Sequence, residues 1–348
     1  MKQNRIRHFL RGAGMGLALL ASAATPLAVT AADADDDKDI NDGRKTTRGD
    51  LYYNGFSDVI FARETIDGTE LEYALDGDEP EKQETLDPSY LLIGTYDMDR
   101  DHAVDLVACR FLGEEHARII EVGYAKSGKM DQWHVIGSLG NPDDVDWDIR
   151  CGNLSGKWNR NSILWHAPSL GALGYWPDGK GVDSWVTIPG KFDAKWRILG
   201  LGVFTESARS LRNAQKPRDS VLFLYGTDTV GYVTPDDGKF TVLGKLEADW
   251  EIAVIGDFSR SGLDDLILFN TRTRQVGKWE KGRAENWKSL GFLKAGAAIE
   301  GAGDYDGDGR MDLLARQADG SMGYFKNADL KQFVPFGYKM DPSWTVIP

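Results

Sequence analysis

The sequence predicts an all-β fold, a six-bladed β-propeller closed by its C-terminal strand. Three observations predict it. An aspartate-rich loop recurs about every fifty residues, short apolar strands surround each copy, and the last residues of the chain repeat a strand found near its start. A period of roughly 40 to 50 residues with four strands per unit is typical of propellers, in which no unit can bury its apolar face alone.

The most complete loop is D-Y-D-G-D-G-R-M-D, residues 304–312. It carries carboxylates at positions 1, 3, 5 and 9, namely Asp304, Asp306, Asp308 and Asp312. Carboxylates this close repel one another unless a cation neutralises them, and oxygen ligands suit a hard ion such as calcium. An EF-hand would need glutamate where Ala315 stands, so we predict a calcium loop between two strands instead.

The other copies of the loop are graded in completeness. Asp97, Asp99, Asp101 and Asp105 form a second full set. In both full sets we expect the backbone carbonyl at position 7, from Ala103 or Arg310, as a further ligand. A weaker site is predicted at Asp257, Ser259, Ser261 and Asp265, because serines replace two carboxylates. The degenerate copies begin at Asp50, Asn153 and Val203, and we place their ninth positions at Asp58, Asn161 and, after an insertion, Asp219.

Each loop is predicted to join the first and second strands of a blade. The strand before it is aromatic, as in W-R-I-L-G at 196 and W-E-I-A-V-I-G at 250. The third strand follows a short turn, as in V-G-Y-A at 122 and M-G-Y-F at 322. Because the tryptophans recur at fixed places in the repeat, we expect them to pack between blades rather than to stack on sugars: Trp147, Trp196, Trp250 and Trp344.

The closure of the ring also follows from the sequence. The first unit, which starts at Gly49, lacks an aromatic strand before its loop. Residues 341–347, D-P-S-W-T-V-I, supply one, and the same phrase precedes the second loop as D-P-S-Y-L-L-I at 87–93. The C-terminal strand should therefore complete the first blade. A seventh blade is disfavoured because the residues before 49 are too polar to form strands.

These units resemble FG-GAP/VCBS repeats, which form the blades of integrin α-chain propellers, of several fungal lectins and of secreted bacterial proteins. The resemblance covers residues 49–348. It implies a propeller that binds calcium between strands 1 and 2 of a blade. It implies little about the ligand, because this fold hosts many functions.

The N-terminus predicts export. Four basic residues precede an apolar stretch and the small residues V-T-A, so residues 1–31 are interpreted as a signal peptide cleaved after Ala31. Residues 32–48 are interpreted as an acidic disordered linker. The mature protein should then be secreted or periplasmic, and no later segment is apolar enough to insert into a membrane.

The net charge and the absence of catalytic sequence motifs argue against several classes of function. The net charge of −13, or −17 without the signal peptide, is unsuited to nucleic acid or anionic lipid. No sequence motif of a hydrolase, a zinc site or a phosphate-binding loop is present. We therefore favour a non-catalytic, calcium-binding protein-interaction module. The alternatives are a lectin-like carbohydrate binder, whose partner is a glycan, and a polysaccharide-degrading enzyme such as a lyase.

Two further features leave alternatives open. Cys109 and Cys151 lie near strand ends of neighbouring units, so a disulfide and two buried free thiols are both compatible with the sequence. The segment 206–218 is the one basic run in an acidic chain and replaces the loop of its blade. It is interpreted as a solvated surface loop, with a binding role as the alternative.

Overall fold

Six four-stranded antiparallel sheets make up the computed structural model of the protein, which describes residues 50–113, 119–140, 145–156, 161–205 and 218–347. Each sheet is one blade. Blade 1 contains β24 (Thr345–Ile347), β1 (Val59–Thr65), β2 (Gly68–Ala74) and β3 (Glu81–Leu86). Blade 2 contains β4 (Tyr90–Tyr96), β5 (Asp105–Leu112), β6 (Ile119–Ala125) and β7 (Trp133–Gly140). Blade 3 contains β8 (Asp148–Gly152), β9 (Ser162–Ala167), β10 (Ala172–Trp176) and β11 (Val186–Thr187).

The remaining three blades follow the same order. Blade 4 contains β12 (Trp196–Gly202), β13 (Ser220–Tyr225), β14 (Thr229–Val233) and β15 (Phe240–Lys245). Blade 5 contains β16 (Trp250–Gly256), β17 (Asp265–Asn270), β18 (Gln275–Trp279) and β19 (Trp287–Phe292). Blade 6 contains β20 (Ala298–Gly303), β21 (Asp312–Arg316), β22 (Ser321–Phe325) and β23 (Phe333–Lys339).

The blades form a closed ring around their first strands. Each first strand contacts the first strands of both neighbouring blades, in the cyclic order β24, β4, β8, β12, β16, β20 and back to β24. Buried apolar clusters lie between the blades, one at each junction in the described part of the chain. Burial between neighbouring blades is what holds such a ring together, since each sheet face is apolar. The predicted six-bladed propeller is confirmed.

The C-terminal strand closes the ring as predicted. β24 pairs antiparallel with β1, with Ile347 opposite Ile60 and Val346 opposite Phe61. Trp344, just before β24, is only 5% exposed and packs in the cluster between blades 6 and 1. Blade 1 thus combines the last strand of the propeller sequence, β24, with the first three strands, β1 to β3.

Short 3-10 turns join strands 3 and 4 in four blades. They lie at Lys126–Gly128, Met130–Gln132, Pro177–Gly179, Val182–Ser184, Glu280–Gly282, Ala284–Asn286 and Lys326–Ala328. In the described part of the chain no helix is both long and apolar enough to cross a bilayer. The predicted signal peptide, the linker and residues 206–217 of the basic insertion lie outside the described residues.

The glycine in the third strand is required by an aromatic ring from the fourth. In blade 5 a Cβ on Gly277 would lie 1.8 Å from the Trp287 ring, and in blade 2 a Cβ on Gly123 would lie 2.4 Å from Trp133. The strand register shifts at both glycines. The V-G-x-W and V-G-Y patterns therefore indicate a β-bulge at the glycine of strand 3, against which an aromatic side chain of strand 4 packs.

The predicted packing of the repeat tryptophans is confirmed. Trp147, Trp196 and Trp250 are partly buried, and each packs against an apolar cluster between two blades. Trp250 also contacts Trp287 edge-on, with ring centroids 5.1 Å apart. Such edge-to-face pairs stabilise aromatic packing by about 0.5–1.5 kcal/mol beyond the burial of their area.

Cys109 and Cys151 are both free and fully buried in the cluster between blades 2 and 3. The disulfide alternative is therefore wrong. The Cys151 sulfur lies 3.7 Å from that of Met98. Burial raises the pKa of the Cys109 thiol to about 12, so it is a packing residue rather than a reactive one.

The strand register corrects the ninth loop position in two blades. Ser162 faces Gly152 and Ser220 faces Gly202, as Asp265 faces Gly256 in blade 5. The prediction of Asn161 and Asp219 at the ninth place is therefore wrong by one residue. Both loops contain inserted residues, and these hide the offset from a comparison of spacing alone.

Asn161 and Asp219 instead join neighbouring blades. The Asn161 amide donates to the Asp97 carbonyl at 2.8 Å, and the Asp219 carboxylate accepts the Asn153 N–H at 2.8 Å. Asp264 accepts the Val203 N–H at 2.8 Å in the same way. The residue before the ninth position therefore ties its loop to the loop of the preceding blade.

Candidate metal centres and the surface between them

The loops between strands 1 and 2 turn twice through left-handed backbone. In the blade 6 loop, Gly307 and Gly309 have φ of 71° and 75°. In blade 2 the same places are held by Arg100 and His102, with φ of 72° and 75°. Residues with a Cβ adopt this region at a cost, so the blade 2 loop is imposed by its contacts rather than by local preference.

The aspartate at position 9 accepts hydrogen bonds from backbone N–H groups. Asp105 accepts the N–H groups of Met98 at 2.8 Å and Ser127 at 2.9 Å. In blade 1, Asp58 accepts two backbone N–H groups in the same way, at 2.8 and 3.0 Å, although its loop has no carboxylate at positions 3 and 5. This aspartate therefore ties the loop to the turn after strand 3 even where no metal set exists.

Three of the four predicted carboxylates converge in each full loop. One group contains Asp97, Asp99 and Asp105, and the other contains Asp304, Asp306 and Asp312. In each group one oxygen from every residue lies within 4.8 Å of the others. Two members of each group are buried and the third is half-buried. Oxygen clusters of this kind fit a hard divalent cation such as calcium.

One oxygen of the blade 6 group fits a cation ligand especially well. Asp304 is only 5% exposed, and its Oδ1 has no hydrogen-bond partner among the described residues. Its Oδ2 accepts the Gly309 N–H at 2.7 Å. A buried carboxylate oxygen without a partner is costly unless an ion or a proton compensates it.

Burial shifts the acidity of both groups. It raises the pKa of Asp97 and of Asp312 to about 6 and that of Asp105 to about 7, and neighbouring carboxylates add to the effect. A bound cation would reverse these shifts by stabilising the ionised form. Cation binding at these loops should therefore release protons.

The carboxylate at position 5 is held by a lysine in both loops. Lys126 Nζ lies 2.5 Å from Asp99 Oδ2 and 2.7 Å from Asp101 Oδ2. Lys326 Nζ contacts Asp306 and lies 3.3 Å from Asp308 Oδ2. In the sequence a lysine directly follows V-G-Y-A and M-G-Y-F, but its contact with the loop was not predicted.

Position 7 was predicted to offer a carbonyl, and its N–H has a clear role. The Ala103 N–H donates to Asp101 at 3.0 Å, and the Arg310 N–H donates to Asp308 at 2.9 Å. Both oxygens of the Asp101 carboxylate are therefore engaged, one by the loop and one by Lys126.

The predicted weaker loop in blade 5 uses its polar groups internally. The Ser259 hydroxyl donates to Asp265 at 3.1 Å, and Asp257 accepts the Ser261 N–H at 2.8 Å. Lys278 lies 3.7 Å from the second oxygen of Asp265. This loop therefore retains the aspartates at positions 1 and 9. Serines stand at positions 3 and 5, where the full loops have carboxylates.

The blade 1 loop bridges the two carboxylate groups with aromatic side chains. Tyr53 stacks on His102 of the blade 2 loop, with ring centroids 4.9 Å apart. Phe56 lies against Gly307 of the blade 6 loop, where a Cβ would come within 2.9 Å of its ring. Tyr52 is 49% exposed and Phe56 is 38% exposed, so this loop presents aromatic surface to solvent.

Comparisons with known proteins assign no family to this chain. No protein-family model and no curated protein sequence matches the chain. An inferred 6-phosphogluconolactonase from Bacteroides fragilis aligns with a TM-score of 0.40 at 11% identity, covering 84% of this chain and 98% of that one.

A second solved structure is oligopeptidase B from Trypanosoma brucei with covalently bound antipain. It aligns with a TM-score of 0.39 at 9% identity over 80% of this chain, which spans 48% of the oligopeptidase. The strand order of the six sheets and the closed ring of first strands show the propeller fold.

Proposed function

We propose that this protein is a secreted, calcium-binding propeller of the FG-GAP/VCBS type, whose loop face binds a protein partner. One observation carries the proposal. The two convergent aspartate groups flank the blade 1 loop, and aromatic residues of that loop contact both metal loops. Exposed aromatic residues on a rigid scaffold are typical of the centres of protein interfaces.

Calcium would act on this surface by fixing the loops on either side of it. Asp97, Asp99 and Asp105 would hold one ion, and Asp304, Asp306 and Asp312 would hold the other. The predicted export supports this assignment, because calcium modules outside cells bind with dissociation constants of roughly 10⁻⁴–10⁻³ M.

Calcium uptake is the first test. Protein stripped with a chelator should bind two calcium ions in calorimetry, with proton release that makes the apparent enthalpy depend on the buffer. Asp304→Asn should abolish one of the two sites, because it removes a charged ligand from the group with the unpaired oxygen. Asp319→Asn, in a turn of the same blade, is the matched control and should leave both sites intact. The absence of any uptake at millimolar calcium would refute the metal assignment.

Partner binding needs its own test. Extracellular and envelope fractions passed over immobilised protein should yield a specific protein in calcium that is released by chelator. Tyr52→Ala and Phe56→Ala should reduce its capture, whereas Phe292→Ala, which alters an exposed aromatic residue outside the metal loops, should not. Equal capture by all three variants would exclude the blade 1 loop as the binding surface.

A carbohydrate ligand is the second candidate, favoured by a cleft between blades 4 and 5. This cavity of about 370 Å³ is lined by Trp250, Trp279 and Trp287, with Lys245, Glu247 and Gln275 around them. Trp287 is 38% exposed beside these polar groups, so the cleft offers aromatic surface to a saccharide. Saccharides should then quench tryptophan fluorescence, and Trp287→Ala should weaken the response at least tenfold. A glycan array without any hit would count against this candidate.

A further inference from the structure

The two lysines beside the carboxylate groups occur only where the loop has its full set of aspartates. Lys126 and Lys326 are each the first residue after strand 3. The same place in the other blades is held by Leu75, Pro177, Thr234 and Glu280. A lysine at this place thus accompanies the carboxylates at positions 3 and 5, and it is absent where they are absent.

We propose that Lys126 and Lys326 set the calcium affinity of their loops by competing with the ion for the carboxylates at positions 3 and 5. This inference rests on the proposed calcium function. Asp99 belongs to the convergent group and also forms an ion pair with Lys126. Its carboxylate would therefore be contested by the calcium ion and the lysine. Asp306 has the same double role with Lys326.

The aspartates at position 5 contact the lysines and lie outside the groups of converging carboxylates. Asp101 and Asp308 are the carboxylates that the loop spacing predicts as ligands, yet both lie outside the convergent groups. Each is held by its lysine, and each also accepts a loop N–H. A four-carboxylate calcium site can therefore form only when the ammonium group withdraws and the position 5 side chain turns inward.

Lysine is suited to this exchange. Its ammonium is a point charge on a flexible four-carbon chain, so it can leave without disturbing the backbone. The Lys126 side chain is 35% exposed and that of Asp99 is 19% exposed, so each ion pair lies at the surface. Surface pairs of this kind are individually weak, and each lysine makes two. The lysine therefore tunes the affinity of its loop without closing it to calcium.

The lysine would also protect the loop when calcium is scarce. Two aspartates held by one ammonium group repel each other less than two free carboxylates. Replacing the lysine by an uncharged residue should therefore weaken the calcium-free protein and strengthen calcium binding. A merely structural role would produce the first effect without the second.

Calorimetry on the full chain with calcium chloride tests the proposal. Lys126→Met should tighten one of the two sites roughly tenfold, which corresponds to about 1.4 kcal/mol. Lys326→Met should tighten the other site. Both variants should melt at a lower temperature than wild type in chelator. Lys126→Arg keeps the charge and should bind calcium no more tightly than wild type. Lys339→Met is the matched control, since Lys339 pairs with Asp319 at 2.7 Å in blade 6 without touching a metal loop.

The possible outcomes separate this proposal from the calcium assignment. Two sites in the wild type whose affinities are unchanged in both methionine variants would overturn the lysine proposal and leave the calcium function standing. Calcium uptake by the variants with none by wild type would support the competition in its strongest form. No uptake by any of these proteins would overturn the calcium function together with the lysine proposal.

Discussion

Deletion of residues 341–348 is expected to destabilise the whole propeller rather than one blade. The deletion removes β24 and Trp344, and it uncovers the edge of β1 and the apolar cluster between blades 6 and 1. The melting temperature should fall by roughly 10 °C or more, because loss of a buried tryptophan alone costs about 3–5 kcal/mol. The exposed strand edge should also promote aggregation.

Several contacts beyond the strand ladder support this expectation. Arg316 donates to the carbonyls of Trp344 at 2.7 Å and Asp341 at 2.8 Å. The Arg63 guanidinium lies over the Trp344 ring, 4.4 Å from its centroid. The deletion would leave two arginines, one of them buried, without these partners.

Differential scanning calorimetry and light scattering check the result. Deletion of Pro348 alone is the control and should melt like the full-length protein, because it leaves β24 intact. A protein truncated at residue 340 that melts like wild type and stays monomeric would show that β24 does not hold the ring closed.

Asp105→Ala and Asp58→Ala are expected to lose similar amounts of stability, roughly 2–4 kcal/mol each in chelator. Each carboxylate accepts two backbone N–H groups, and an unsatisfied buried donor costs about 1–3 kcal/mol. The two positions are well matched, since burial raises the pKa of both carboxyls to about 7.

The calcium response separates the two variants. Asp105→Ala should lose the stabilisation that calcium gives blade 2, whereas Asp58→Ala should keep the full response, because the blade 1 loop has no convergent group. Chemical denaturation with and without calcium checks both effects. If calcium stabilises Asp105→Ala as strongly as it stabilises Asp58→Ala, position 9 is structural only and Asp105 is not a ligand.

The sequence predicted the ring well because its signals are local and periodic. Loop aspartates, strand aromatics and the repeated D-P-S phrase sit at fixed spacing, so the blade count and the closing strand follow from the pattern. It failed at Asn161 and Asp219, where inserted residues shift the offset and only the strand register restores it. It could not show that the Lys126 ammonium would reach Asp99, because that contact joins two turns 27 residues apart.

Closure by the last strand has a consequence for the order in which the molecule is made. Strand β24 is synthesised after every other strand, yet it forms the innermost position of the blade that begins the propeller. During synthesis, β1 therefore has no inner neighbour until β24 emerges. The nascent chain must remain competent to fold with one sheet incomplete, and such intermediates are prone to misassociate through unpaired strand edges.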